Sequence, residues 1–377
     1  MEGAKPLESM EAFRAVLKDP AGVAKDWKTK GGKVAGVRCL FVPEEIIWAA
    51  GMLPWPMVGT PEPVRLADAY FQSCSCEFAR NVFDQALEGK LDFLDCAALS
   101  NTCDAMRRLY DMWKRYIESS PVIMINNPQK LMTEKNREFF LEELKLFRQR
   151  MEEASGEKVT DEKLAGAIEL YNETRSLLRE IYLLRKQDPP PLTGVEAFEV
   201  AMAATIMPKD MANPLLRKLI EELGGRQGPD GYDARILVTG SIIDNPALIS
   251  MIEEEGGMVV ADDLCTTSKY FWYTVEAGKS DDPLDAIYRY LNRRPLCACM
   301  HPVEARMDFL MELVEEFKVD AVIDFNLKYC HSFMYEAPLL KRELESRGIS
   351  TTVLEVGHDM SGHGQLRTRI QAFIEML

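Results

Sequence analysis

The sequence predicts a two-lobed α/β protein, each lobe a parallel sheet flanked by helices, with a helical insert between the lobes. Three observations carry that prediction. Short apolar runs of strand length alternate with helical stretches in both halves of the chain, the pattern of a parallel sheet covered on both faces. A charged, helical stretch almost free of Gly and Pro lies between those halves. The 377 residues, 47% hydrophobic and 28% charged, are enough for two or three buried cores.

Taken in order, a helical lead-in (Leu7 to Trp27) precedes the strand-like run Val34-Ala-Gly-Val-Arg-Cys39. Pro43-Glu-Glu-Ile-Ile-Trp-Ala-Ala50 reads as a helix with Pro in its first turn and Gly51 at its end. After a Pro-rich connection come a helix from Glu77 to Leu87, a strand from Phe93 to Leu99 and a helix from Asp104 onward. Val122-Ile-Met-Ile125 is a further buried strand. From Thr133 to about Lys186 the pattern is helical, Pro189-Pro-Pro191 ends it, and two more helices reach Leu223. The Gly- and Pro-bearing loop Gly224 to Gly231 marks a boundary. Beyond it the predicted strands are Arg235–Thr239, Met258–Ala261, Ala321–Phe325 and Thr351–Glu355. The helices between and after them are Ala247–Glu255, Val303–Lys318, Glu336–Arg347 and Gln365–Met376. The units are therefore residues 1–130 (N-terminal helix and first lobe), 131–228 (helical insert) and 229–377 (second lobe), with Rossmann- or flavodoxin-like sheets.

Composition excludes several classes. The formal net charge is −15, from 60 acidic and 45 basic residues, so the surface repels nucleic acid and anionic membranes. No apolar run reaches the ~20 residues of a membrane span. Met1-Glu-Gly-Ala-Lys-Pro6 lacks the apolar stretch of a signal peptide, so a cytoplasmic chain is expected. Nine cysteines in such a chain are expected to stay reduced, which leaves core filling, metal ligation or catalysis.

Open parallel sheets bind ligands beyond the carboxyl ends of their strands, and several cysteines fall there. Cys103 follows the strand Phe93–Leu99 and opens a helix. Cys330 follows Ala321–Phe325, Cys265 follows Met258–Ala261, and Cys76 sits where a loop enters a helix. A helix N-terminus stabilises the thiolate that binds metal. Cys39 and Cys96, read as lying inside apolar strands, are expected to fill core. The pairs Cys74/Cys76 and Cys297/Cys299 invite zinc, but they lie in different halves and lack the spacing of a short zinc module. Thiols so dispersed are compatible with an iron–sulfur cluster. Spacing alone does not choose between a cluster and core filling.

Other signatures are poor. Gly278-Lys-Ser280 imitates the tail of a phosphate loop, but Tyr273 stands where the earlier Gly is required. There is no G-x-G-x-x-G after a strand and no G-x-S-x-G elbow. His301, His331, His358 and His363 lie in loops, where solvated or capping roles are commonest. His331, beside Cys330, is the exception.

With these residues in view, the chain resembles the iron–sulfur subunits of 2-hydroxyacyl-CoA dehydratases and their relatives, the ATP-dependent benzoyl-CoA reductases. The matching stretches are Pro43-Glu-Glu-Ile-Ile-Trp-Ala-Ala-Gly-Met-Leu-Pro54, Leu91-Asp-Phe-Leu-Asp95, Asn101-Thr-Cys-Asp104, Val238-Thr-Gly-Ser241 and Asp262-Asp-Leu-Cys265. Pro338-Leu-Leu-Lys341 and the stretch Gln365 to Leu377 complete them. The resemblance implies a [4Fe–4S] cluster held between the lobes by Cys76, Cys103 and Cys330, with Cys265 as the reserve ligand. Where family members commonly read Cys-Asp-Pro, this chain has Cys330-His-Ser332.

The implied reaction is removal of water from a 2-hydroxyacyl-CoA to give an enoyl-CoA. No carbonyl acidifies the β-hydrogen, so an ordinary base cannot remove it. One low-potential electron makes the thioester a ketyl radical anion, which expels the hydroxyl and acidifies that hydrogen. The resemblance further implies an ATP-hydrolysing iron–sulfur activator as electron donor and a homologous second subunit in a heterodimer. Arg107, Arg108, Arg367 and Arg369 are candidates for the CoA phosphates by position, with His331 beside them as a substrate candidate. Two alternatives stand beside this reading. One is a reductase subunit, either of an aryl-CoA reductase or of a double-cubane enzyme. The other is a non-catalytic electron-relay or scaffold subunit.

Overall fold

A computed structural model describes residues 7–130, 133–278, 282–295, 297–359 and 362–377. Met1–Pro6, the insert boundary at Leu131 and Met132, and Lys279 and Ser280 of the phosphate-loop-like tail lie outside the described residues.

Two four-stranded sheets organise the chain, and every strand pairing in them is parallel. The first contains β1 (Lys33–Arg38), β2 (Met52–Pro56), β3 (Cys96–Ser100) and β4 (Val122–Ile125) in the order β2-β1-β3-β4. The second contains β5 (Ala234–Gly240), β6 (Gly257–Asp263), β7 (Ala321–Leu327) and β8 (Ser350–Val356) in the order β6-β5-β7-β8. Ala35 pairs with Cys96 across β1 and β3, and Ile236 with Ala321 across β5 and β7. In both sheets the chain leaves the two central strands toward opposite edges. A crevice therefore opens at their carboxyl ends, between β1 and β3 and again between β5 and β7. Every residue of β3, β5, β6 and β7 is buried, which is why these strands read as unbroken apolar runs.

The alternation predicted from the sequence is the alternation observed, with local differences. The lead-in is two helices, Glu8–Lys18 and Pro20–Thr29. Pro20 cannot continue a helix from the preceding turn, and Asp19 restarts one by accepting a hydrogen bond from the Gly22 N–H (3.0 Å). The Pro-rich connection contains β2. Two prolines are tolerated there because β2 is the edge of its sheet, where one row of N–H groups is not needed. The helix expected from Glu336 begins at His331, and Pro283–Arg293 is a helix that the sequence pattern does not separate from loop.

Helices Glu134–Ser155, Asp161–Leu183, Gly194–Ile206 and Lys209–Leu223 lie between the sheets in the chain. Thr133, Thr160 and Thr193 cap the first three, the last of these in a reciprocal box with Glu196. The segment Pro43-Glu-Glu-Ile-Ile forms the short helix Glu44–Ala49 and docks against Asp161–Leu183. Glu45 pairs there with buried Arg175, while Glu44 accepts a hydrogen bond from the Tyr270 hydroxyl (2.8 Å). One apolar core runs from the first sheet to the second. It holds Leu53, Leu99, Ile236 and Ile323 together, with Cys76 inside it and Cys103 and Cys330 against it. Among the described residues no helix is long and apolar enough to cross a membrane.

Candidate metal centre

Three turns bring three cysteines to helix N-termini. After β3 the Asn101 N–H donates to Ile125 O (2.9 Å) and the Thr102 N–H to Ser100 O (2.9 Å). That tight exit makes Cys103 the residue before helix Asp104–Tyr116. After β7, Tyr329 takes a left-handed conformation (φ 64°), and Cys330 stands before helix His331–Ser346. The motif Val238-Thr-Gly-Ser241 holds this exit in place. Ser241 Oγ accepts from the Leu327 N–H (2.6 Å) and donates to Phe325 O (3.2 Å). Gly240 permits the approach, since a Cβ there would come 2.1 Å from Phe325 O. Cys76 stands before helix Glu77–Leu87.

The three sulfurs act on one another. The Cys76 and Cys330 thiols hydrogen-bond, which holds Cys76 down at about 7 and pushes Cys330 well above the usual thiol range. Burial pushes Cys103 up to about 12, and the neighbouring charge of Cys76 adds to that rise. Helix N–H groups work in the other direction: those of Phe78 and Ala79 favour the Cys76 thiolate, that of Met106 favours Cys103, and that of Phe333 favours Cys330.

Four further thiols border the same space. Cys39 corrects one half of the sequence-based expectation, which put it inside a strand as core: it packs against a core but lies outside the strand. β1 ends at Arg38, and Cys39 adopts φ 87° just beyond it. Its sulfur accepts a hydrogen bond from the Thr102 hydroxyl (3.5 Å), tying the exit of β1 to that of β3. Cys297 and Cys299 hydrogen-bond, and this holds Cys297 down at about 6. Burial raises Cys265 to about 11, with the Cys297 and Cys39 charges adding to it. Cys299 in turn feels Cys297, Cys39 and Cys103. Cys74 is exposed, and Cys96 is buried in β3 as core, raised by that burial to about 12.

His358 is the second correction. It is neither solvated nor a helix cap; it is 6% exposed and closes a clasp between the lobes. Its Nε2 meets Asp244 Oδ2 (3.2 Å), which also accepts from the Gly59 N–H (2.7 Å). Its own N–H donates to Glu77 Oε2 (2.7 Å), and its ring stacks edge-on to Phe78 (5.6 Å). Both Asp244 and His358 lie just past strand carboxyl ends. The strand-end rule that singled out the cysteines would have found them too.

The remaining candidates lie outside this group. His331 is exposed, with its ring 6.5 Å from that of Tyr335. Arg107 Nε donates to Asn101 Oδ1 (3.0 Å), so this guanidinium lies along the Cys103 turn. Arg108 pairs with Asp111 (2.8 Å), and Arg367 pairs with Glu254 (2.9 Å) and Glu255. Arg369 donates to Val353 O (2.9 Å).

The donor set fits an iron–sulfur cluster. It is made of soft thiols at helix N-termini within a largely apolar wall. Among the described residues no three His, Cys, Asp or Glu side chains converge on one ion-sized point.

Comparison with known proteins identifies the family. The family described as 2-hydroxyglutaryl-CoA dehydratase, D-component, matches residues 39–377. The chain is 28% identical to the (R)-phenyllactyl-CoA dehydratase beta subunit of Clostridium sporogenes, over 97% of both chains. It is 28% identical to the lactoyl-CoA dehydratase subunit beta of Anaerotignum propionicum, over 98% of this chain and 100% of that one. It is also 27% identical to one of the subunits of the benzoyl-CoA reductase of Thauera aromatica, over 84% of each. With its two parallel sheets, its strand-end cysteines and a match that covers nearly the whole chain, this protein belongs to the 2-hydroxyglutaryl-CoA dehydratase D-component family.

Proposed function

We propose that the chain is a beta-type subunit of a 2-hydroxyacyl-CoA dehydratase, with Cys76, Cys103 and Cys330 as the ligands of a [4Fe–4S] cluster. The observation that carries this reading is the meeting of three thiols from three separate helix N-termini in one space between the sheets. When bound, a cubane held by three thiolates supplies one-electron chemistry and one iron open to an oxygen ligand. The chain's own residues do the rest. The helix N–H groups favour the thiolate forms, and the apolar core around Cys76 walls the space on that side. The His358–Asp244 clasp holds the lobes together at the Cys76 helix.

The reaction is loss of water from a 2-hydroxyacyl-CoA through a ketyl radical. A separate ATP-hydrolysing iron–sulfur activator starts it, and the enzyme is completed by a second, homologous subunit. The dehydratase relatives and the family match support this choice of reaction class.

A second reading, a reductase subunit with a larger double-cubane cluster, has its own observation. Cys39, Cys265, Cys297 and Cys299 border the same three thiols, which is more sulfur than one cubane uses. Iron and sulfide analysis after anaerobic purification separates the two. The dehydratase reading expects about four of each per chain, and the double cubane roughly twice that. Cys103→Ser and Cys330→Ser lose the iron under both readings, whereas Cys96→Ser keeps it. Cys265→Ser and Cys299→Ser keep about four irons under the first reading and lose iron under the second. Equal iron in Cys96→Ser, Cys103→Ser and Cys330→Ser overturns the ligand assignment, and full activity of metal-free protein overturns both readings.

A further inference from the structure

Arg38 ends β1, and its side chain enters the space between the lobes. Nη1 donates to Met57 O (3.2 Å), and the guanidinium lies 4.2 Å from the centre of the Phe78 ring. Phe78 is in the first turn of the helix that Cys76 precedes, so the cation is held beside that sulfur's helix N-terminus. The charged groups that act on it are Asp244 and the thiols of Cys265, Cys39 and Cys76.

Its charge is not neutralised by contact. Buried Arg306 is paired with Asp263 and Glu336, and buried Arg175 with Glu45. Arg38 has no ion pair among the described residues; a carbonyl and an aromatic face hold it instead. Asp244, the carboxylate that acts most strongly on it, is already engaged by His358 and by the Gly59 N–H. A lone arginine at the end of an apolar strand carries no motif, so the sequence alone does not single it out.

We propose that Arg38 is a charge-compensating positioning residue of the metal centre, held by Phe78 and the Met57 carbonyl so that its cation favours the reduced state of whatever the thiols bind. This rests on the cluster reading above. Three thiolates already make the centre electron-rich, and one more electron adds a negative charge in a poorly screened space. A fixed cation beside the sulfurs opposes that cost and raises the potential, as charge and hydrogen bonding around iron–sulfur centres do. The step balances simply: the centre gains one electron, an external one-electron reductant loses one, and no proton need move. Phe78 and Met57 O hold the guanidinium in place.

The test compares the full-length chain with Arg38→Met and Arg38→Lys after anaerobic purification, by iron analysis and dithionite redox titration followed by electron paramagnetic resonance. Arg38→Met keeps the side-chain length and its packing on Phe78 but removes the charge. It is expected to retain its iron and, at a fixed poise, to show a reduced-to-oxidised ratio about tenfold lower, equal to a midpoint about 59 mV more negative. Arg38→Lys is expected to remain within about threefold of the unmodified chain, because it keeps the charge. Coincident midpoints for the unmodified chain and Arg38→Met overturn the inference, as does an equal shift in both variants. Loss of iron from both variants also overturns it, assigning Arg38 a purely structural role. An unmodified chain that takes up no iron overturns the cluster reading itself, an outcome distinct from the others.

Discussion

Replacing Glu45 by Gln tests how the short helix Glu44–Ala49 is anchored to helix Asp161–Leu183. Glu45 is 1% exposed and Arg175 2% exposed. Arg175 Nη2 donates to Glu45, Nη1 reaches Asn172 Oδ1 at 3.4 Å, and Nε has no partner. The guanidinium also lies 4.4 Å from the centre of the Tyr290 ring. Among the described residues Glu45 is therefore the one carboxylate in contact with this cation, which water cannot reach. Breaking a buried pair by removing one partner costs about 3 to 5 kcal/mol. The nearby Glu44 carboxylate, which also acts on Arg175, points to the lower end, about 3 kcal/mol. At about 2 °C per kcal/mol for a large chain, the thermal midpoint falls by about 6 °C. Scanning calorimetry on Glu45→Gln, Arg175→Met and the double variant measures this. Each single variant leaves a charge buried alone, whereas the double variant leaves none, so the double should melt above both singles. A Glu45→Gln midpoint within about 1 °C of the unmodified chain, or a double variant below both singles, refutes the reasoning.

Asp324, 2% exposed, has its carboxyl pushed up to about 6 by burial, against the opposing pull of Arg306. An acid whose folded pKa is raised contributes stability that is fully present below its unfolded value and lost as pH rises through about 6. At pH 8 its charge therefore costs about 2 kcal/mol relative to pH 4. Asp324→Asn is expected to gain stability over the parent chain as pH rises from 4 to 8, and a gap in thermal midpoint that does not widen with pH counts against this. Gly240→Ala is expected to cost about 2 to 4 kcal/mol, because its Cβ meets a backbone carbonyl that cannot move aside. Gly348→Ala is the control: its φ is also positive (83°), but nothing lies within 4 Å, and the cost should be about 1 kcal/mol. Equal losses in the two variants would show that the contact with Phe325 O is not what Gly240 avoids.

Much of this architecture is written locally. Parallel strands buried on both faces advertise themselves as unbroken apolar runs, and Thr133, Thr160 and Thr193 announce the helices that they cap. β2 was not legible, because its prolines are acceptable only at a sheet edge and edge position is a property of the assembled sheet. The extended start of helix His331–Ser346 was missed for a related reason. Its first turn depends on Tyr329 taking a left-handed conformation that the residue type does not favour.

The candidate site divides along the same line. Periodicity and strand ends alone placed Cys76 and Cys103 where helices begin and Cys330 in the loop after its strand, since a strand, a turn and a helix N-terminus are decided within a few residues. Which thiols meet was decided only by packing. Cys39 reads as strand from its neighbours, yet it turns out of β1 to accept a hydrogen bond from Thr102, 63 positions away. His358 reads as a loop residue, yet it is buried against Glu77, 281 positions away. Arg38 gains its place only because Phe78 and Met57 come to it from other elements. Local signals act over a turn or two of chain, whereas the charge environment of a site belongs to elements that meet only once a common core has closed between the lobes.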